Sequence, residues 1–177
     1  MNREELQRVQ TPLKERYRDE PTAALVTLEA DGRLDESQVA CSVATGRALV
    51  EAGLHPATGG TGMLACSGDM LLQALVACAG VTLRAVATSL GLEVTGSVHA
   101  EGDLDFRGTL GLDKTVPVGF LDIRLYFDID GDLNEDQRAS LLKLTERYCV
   151  VYQTLLRPPD VNVAANWQAL AKPAMSD

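Results

Sequence analysis

Basic residues are in short supply: 16 Lys and Arg stand against 25 Asp and Glu, leaving a formal charge of −9 over 177 residues. Such a surface repels phosphate backbones and anionic lipid headgroups, which argues against broad nucleic-acid binding and against a membrane surface as partner. Histidine is scarcer still, with only His55 and His99, and the cysteines Cys41, Cys66, Cys78 and Cys149 include no CxxC pair. A structural zinc site needs four such ligands at close spacing, so no metal is expected. Residues 1–10 are polar and lack the apolar stretch of an export signal. A reducing, cytoplasmic location is therefore expected, and a standing structural disulfide is not. The chain also lacks internal repeats and low-complexity tracts.

What is present is the balance of a folded domain, 46% hydrophobic and 23% charged residues. A chain of this length buries roughly 70% of its unfolded surface, enough for a core without disulfide staples. Residues 70–90 form one long apolar run with a single charge, Arg84. That length could cross a bilayer, but Gln73, Thr82, Arg84, Thr88 and Ser89 interrupt it and no aromatic belt flanks it. A buried core helix is the better expectation. Ser67 or Asp69 is placed to cap its first turn, and Gly91 to end it.

Around this helix the pattern reads as α+β. Residues 1–21 form a polar helical arm, interrupted by Pro12 and closed by Pro21, and residues 22–177 form the main domain. Strands are expected at 23–28 and 38–43, with Asp31-Gly32 as the turn between them. The glycine-rich residues 53–62 read as loop, and Val94, Val98 and Ala100 share one face of an extended segment. Leu121, Ile123, Leu125, Phe127 and Ile129 alternate with polar residues, the signature of a strand with one wet face. Asn134 with Gln137 predicts a capping box opening a second helix, whose apolar stripe is Leu141, Leu144, Tyr148, Val151 and Leu155. Pro158 and Pro159 stop that helix, and Val161 and Val163 suggest a last short strand. The first helix is apolar nearly all round, so it must lie between layers or in an interface, which points to a dimer.

Two motif-like stretches fail on context. Gly60-Thr61-Gly62-Met63-Leu64-Ala65 fits a degenerate dinucleotide pattern but has His55-Pro56-Ala57 before it and Arg84 where an acid should follow. The segment 128–132 resembles a calcium loop, yet its glycine is misplaced and the twelfth position is Ala139. The cysteines carry the chemical question. A thiol with pKa about 8.5 is only about 3% ionised at pH 7, whereas one at about 6 is about 90% ionised. Cys78 sits too far along its helix for the dipole to supply that shift, so a cationic partner from another segment is required, arginine being the obvious choice because it stays charged when buried; Cys66, at the helix start, is better placed. Residue chemistry nominates both and does not choose.

Residues 69–87 (DMLLQALVACAGVTLRAVA) and 146–155 (ERYCVVYQTL) resemble the OsmC-like family, which includes the organic hydroperoxide resistance proteins. The resemblance covers roughly residues 22–167. It implies two long central helices packed with antiparallel sheets in an intertwined homodimer. It also implies a thiol peroxidase without a cofactor, acting on organic hydroperoxides or hydrogen peroxide. Cys78 would be the peroxidatic cysteine and Cys149, in mid-helix, the resolving one; a lipoyl-type or thioredoxin-like dithiol would reset their disulfide. The family holds its thiolate with an arginine, for which Arg47 is the best match and Arg33 the second. The glutamate that orients this arginine falls at Gly68, with Asp69 beside it as the replacement. Where the family often has a proline after the resolving cysteine, this chain has Val150. Cys41 and Cys66 are extra and expected to be structural. The competing expectation is a catalytically divergent relative that binds a small apolar ligand at the dimer interface or senses oxidants.

Overall fold

The computed structural model describes residues 2–20, 32–34, 40–44 and 49–167, and it is a mixed α+β structure. Helix α1 (Arg3–Asp19) opens the chain. Strands β1 (Gly32–Leu34), β2 (Ala40–Ala44), β3 (Leu49–Gly53) and β4 (Ala65–Cys66) form a sheet in that order. Its first two pairings are antiparallel and the last, β3 with β4, is parallel. Helix α2 (Ser67–Leu90) follows, then β5 (Thr95–Asp103), the short α3 (Phe106–Thr109) and β6 (Asp122–Asp130). Two more helices, α4 (Glu135–Tyr148) and α5 (Val150–Leu156), follow, and a 3-10 turn at Pro56–Thr58 lies between β3 and β4.

The long apolar helix is placed by its sequence. Leu75, Ala79, Leu83 and Ala87 recur every four residues and are buried as one stripe. The two alanines let neighbouring elements approach closely, and α2 touches α1, β4, β5, α4 and α5, the surroundings of a core helix. Leu83 and Ala87 join Val94, Leu133 and Leu141 in the main hydrophobic cluster, with Phe127 and Ile129 of β6 packed against it. Gly91 ends α2 at φ 70°, in the left-handed region, and its N–H returns to the carbonyls of Ala87 and Thr88.

The β5–β6 ribbon is antiparallel with a register that sorts residues by face. Val98 pairs with Phe127, Ala100 with Leu125 and Gly102 with Ile123 on the half-buried side. The wet side carries His99 stacked on Tyr126, and Arg124 bound to Glu101, Asp103 and Asp122. Gly102 is required by packing, since a Cβ there would sit 2.5 Å from the Phe120 ring. Asn134 and Gln137 form the expected capping box at the start of α4, each side chain bonded to the other's backbone N–H.

Several local expectations are corrected. Helix α1 runs through Pro12, supported by its contact with α2, where a break was expected. Gly32 is the first residue of β1 and pairs with Val43, so it is not a turn residue. The strand expected at 23–28 lies outside the described residues. Cys66, not Ser67 or Asp69, occupies the cap position of α2, and its side chain makes no capping hydrogen bond. Val161 and Val163 are exposed, and among the described residues no strand pairs with them. The largest correction concerns Cys149. The expected continuous helix is broken there, at φ −73° and ψ 108°, and the residue ends α4 while it caps α5. The buried stripe of α4 is accordingly Leu141, Thr145 and Cys149, while Tyr148 is 58% exposed.

Candidate functional site

Cys78 lies in the middle of α2, one residue before buried Ala79 on the side that faces α5. Cys149 lies at the junction of α4 and α5 and is 1% exposed. The two are free thiols, and each stands among the groups that shift the other's pKa. The break at Cys149 is what makes the pairing useful. It turns the first amides of α5, which have no carbonyl partner within their own helix, toward the sulfur atoms.

Burial pushes both thiols up, but the balance differs. For Cys78, burial is outweighed by the N–H of Val151, the Cys149 thiol, the N–H of Val150 and the Thr82 hydroxyl, so its pKa falls below the ordinary thiol value. For Cys149, burial dominates. The amides of Tyr152 and Val151 offset it in part, while the neighbouring Cys78 sulfur adds to the rise. Cys78 therefore ionises first, and Cys149 stays protonated as a donor to the Cys78 thiolate. The arrangement pairs a nucleophilic sulfur with a second sulfur in contact with it.

Of the other expected site residues, Asp69 lies apart from the thiol pair. Asp69 is in the exposed first turn of α2, nine positions before Cys78, which places it roughly 13.5 Å away along the helix and on the opposite face. It borders a cavity with His55, Cys66, Gly68 and Phe106 instead. Arg47 lies outside the described residues. Arg33 falls within β1, paired with Ser42. At Gly68 a Cβ would already touch Phe120 (3.4 Å), Cys66 (3.6 Å) and Leu104 (3.6 Å), so the position is packed by apolar neighbours. Among the described residues, no three His, Cys, Asp or Glu side chains cluster to hold a metal. Sequence reasoning missed Thr82 and the amides of Val150 and Val151. Thr82 was findable from its position one helical turn beyond Cys78.

A groove of about 930 Å³ lies between α2, α4, α5 and β6, walled by Leu71 and Leu75 of α2, Leu142 and Glu146 of α4, Tyr152 of α5 and the β6 side chains; neither Cys78 nor Cys149 lines it. On α2, Leu71, Leu75 and Cys78 stand at positions i, i+4 and i+7; on α4, Leu142, Glu146 and Cys149 do the same. On α2 this spacing sets the groove-lining Leu71 and Leu75 on the helix face that also carries Cys78.

The fold and site thus define a mixed α+β protein with a paired-thiol centre between two helices. The chain belongs to the OsmC-like protein family, whose model matches residues 60–164. It is similar in structure to an OsmC-like protein from Mycoplasma pneumoniae, at 16% identity and a TM-score of 0.61, over 75% of this chain and 89% of that one. An organic hydroperoxide resistance protein from Elizabethkingia anophelis matches at 18% identity and a TM-score of 0.57, over 76% and 91% of the two chains. A third, named organic hydroperoxide resistance protein OsmC, from Legionella pneumophila, matches at 18% identity and a TM-score of 0.54, over 76% and 92%. No curated protein matches the sequence.

Proposed function

We propose that the chain is a thiol-dependent peroxidase that reduces organic hydroperoxides or hydrogen peroxide. The observation that carries this reading is the contact between Cys78, whose thiol is drawn down, and Cys149, whose thiol is pushed up. The names of two structural neighbours, as organic hydroperoxide resistance proteins, support it. The Cys78 thiolate attacks the terminal peroxide oxygen; the O–O bond breaks and RO⁻ leaves, taking a proton to become the alcohol. Sulfur is oxidised to the sulfenic acid and the peroxide is reduced. The Cys149 sulfur then attacks the Cys78 sulfur and its thiol proton departs with the hydroxyl as water. The resulting intrasubunit disulfide is reduced back to two thiols by an external dithiol, of lipoyl or thioredoxin-like chemistry.

The functional unit is proposed to be a homodimer. Ala74, Ala77 and Val81 form an exposed apolar edge on α2, with Val81 72% exposed, the uncovered side of a helix apolar on every face. A second reading rests on the groove, whose walls suit a small apolar ligand bound without chemistry. Steady peroxide consumption with a dithiol reductant separates the two. The peroxidase reading expects turnover that Cys78→Ser abolishes; absence of turnover in the native chain, with apolar ligands still bound, supports the second.

A further inference from the structure

Exposed leucines scattered singly over a surface need no explanation, but four on one groove do. Leu71, Leu121, Leu142 and Leu156 are all exposed, and all wall the groove between α2, α4, α5 and β6. At about 930 Å³ it has the size of a site for a small organic ligand. Its charge is one-sided. Among the described residues, Asp122 and Glu146 line it and no basic side chain does. Asp122 is bound to Arg124 at 2.7 Å, and the same guanidinium is shared with Glu101 and Asp103, so neither group has charge free for a ligand. Glu146 differs, because its carboxylate has no hydrogen bond or ion pair among the described residues. Arg147, next along the chain, lies over the ring of Tyr148 instead. The Glu146 backbone is fixed where α4 meets α5, its carbonyl accepting from the Gln153 side chain at 2.8 Å. Tyr152, half-buried in the first turn of α5, lines the same groove, and its hydroxyl is also without a partner among the described residues.

We propose that this groove binds a cationic amphiphile, with an alkyl chain along the leucine walls and an ammonium head at Glu146 and Tyr152. The alkyl chain covers apolar surface that is otherwise left to water. The head finds a carboxylate without a counter-ion and an aromatic ring, the two groups that attract an organic cation. A fatty-acid carboxylate of the same length fills the same walls but meets repulsion at Glu146. The assignment deepens the ligand-binding reading of the groove and rests on it. It does not depend on the thiol pair, neither member of which lines the groove.

The test titrates the full chain with decyltrimethylammonium, decanol and decanoate by calorimetry at neutral pH and low salt, each below its micelle concentration. The ammonium should bind at one site per chain and about tenfold more tightly than decanoate, with decanol between them. Glu146→Gln should weaken the ammonium about three- to fivefold and bring the three probes together. Glu135→Gln, an equal change of net charge on exposed α4 surface outside the groove, should leave the preference intact. Decanoate bound as tightly as the ammonium, or a preference that survives Glu146→Gln, overturns the assignment. So does a preference lost equally in Glu135→Gln, which would trace it to the acidic surface as a whole. If decanol and the ammonium bind alike and Glu146→Gln changes nothing, the groove remains a ligand site and only the cationic head is refuted. If none of the three probes binds, the ligand-binding reading of the groove falls with it.

Discussion

Replacing Val150 by proline probes the break at Cys149 and its service to the active thiol together. Val150 is the first residue of α5, where proline is well tolerated because the missing N–H has no helical partner. The residue before it, Cys149, is already extended at φ −73° and ψ 108°, close to what a following proline demands. The Val150 side chain is mostly exposed, so little packing is lost. What disappears is one amide donor to the Cys78 sulfur. A hydrogen bond to a charged acceptor is worth about 1.5–3 kcal/mol when buried, and for a half-exposed sulfur about 1 kcal/mol is the reasonable figure. At 1.36 kcal/mol per pH unit, the alkylation midpoint of Cys78 should rise by about 0.7 pH unit and its rate near neutrality fall about fivefold. Stability should hold or rise by up to about 1 kcal/mol, since proline at a compatible site restricts the unfolded chain. The assay is pH-dependent alkylation beside thermal unfolding. An unmoved midpoint would refute the claim that the α5 amides hold the thiolate, and a collapsed melting transition would refute the described break.

The remaining predictions concern core, surface and pH. Leu141→Ala removes a fully buried side chain from the main cluster and should cost about 2–5 kcal/mol in denaturant unfolding. Val81→Asp places a charge on an exposed site, so it should leave the monomer's fold intact; if α2 is the interface, sedimentation should show a dimer converted to monomer. The rate of peroxide reaction should climb with pH along the Cys78 titration and flatten above it, at a midpoint below that of an ordinary thiol. The sign follows from the reactive species: the thiolate attacks, so acidification through the Cys78 pKa protonates it and slows the step. Cys149 adds no second rising limb in that range, because its own thiol is pushed up.

Much of this architecture is legible in the residues because it depends on local patterning. The period-two alternation of 121–129 became β6 with Tyr126 and Asp128 on the wet face, and the Asn134–Gln137 box and Gly91 marked helix ends. The break at Cys149 was not legible. Glu146 to Leu155 keeps apolar residues at helical spacing, and no glycine or proline interrupts it until Pro158. The interruption is visible only as tertiary packing, with Leu141, Thr145 and Cys149 buried against α2 and the direction of the chain changing after them. Pro12 shows the reverse case, a strong local breaker overridden by contact with α2. At the site, both cysteines of the pair could be named from the chain through its family resemblance. Their electrostatics could not, because the donors are backbone amides, which every residue carries and only the break at Cys149 exposes. Asp69 was expected, from its nearness in sequence to the helix start, to orient Arg47; helical geometry sets it on the face of α2 opposite Cys78, and Arg47 lies outside the described residues.

The central claim is that Cys78 and Cys149 act as one redox pair. One equivalent of cumene hydroperoxide added to reduced protein, followed by thiol counting and peptide mapping, tests it most directly. The account predicts rapid loss of two thiols per chain and a Cys78–Cys149 disulfide, absent in Cys78→Ser. Survival of all four thiols, or consumption of Cys66 in place of Cys78, would contradict it.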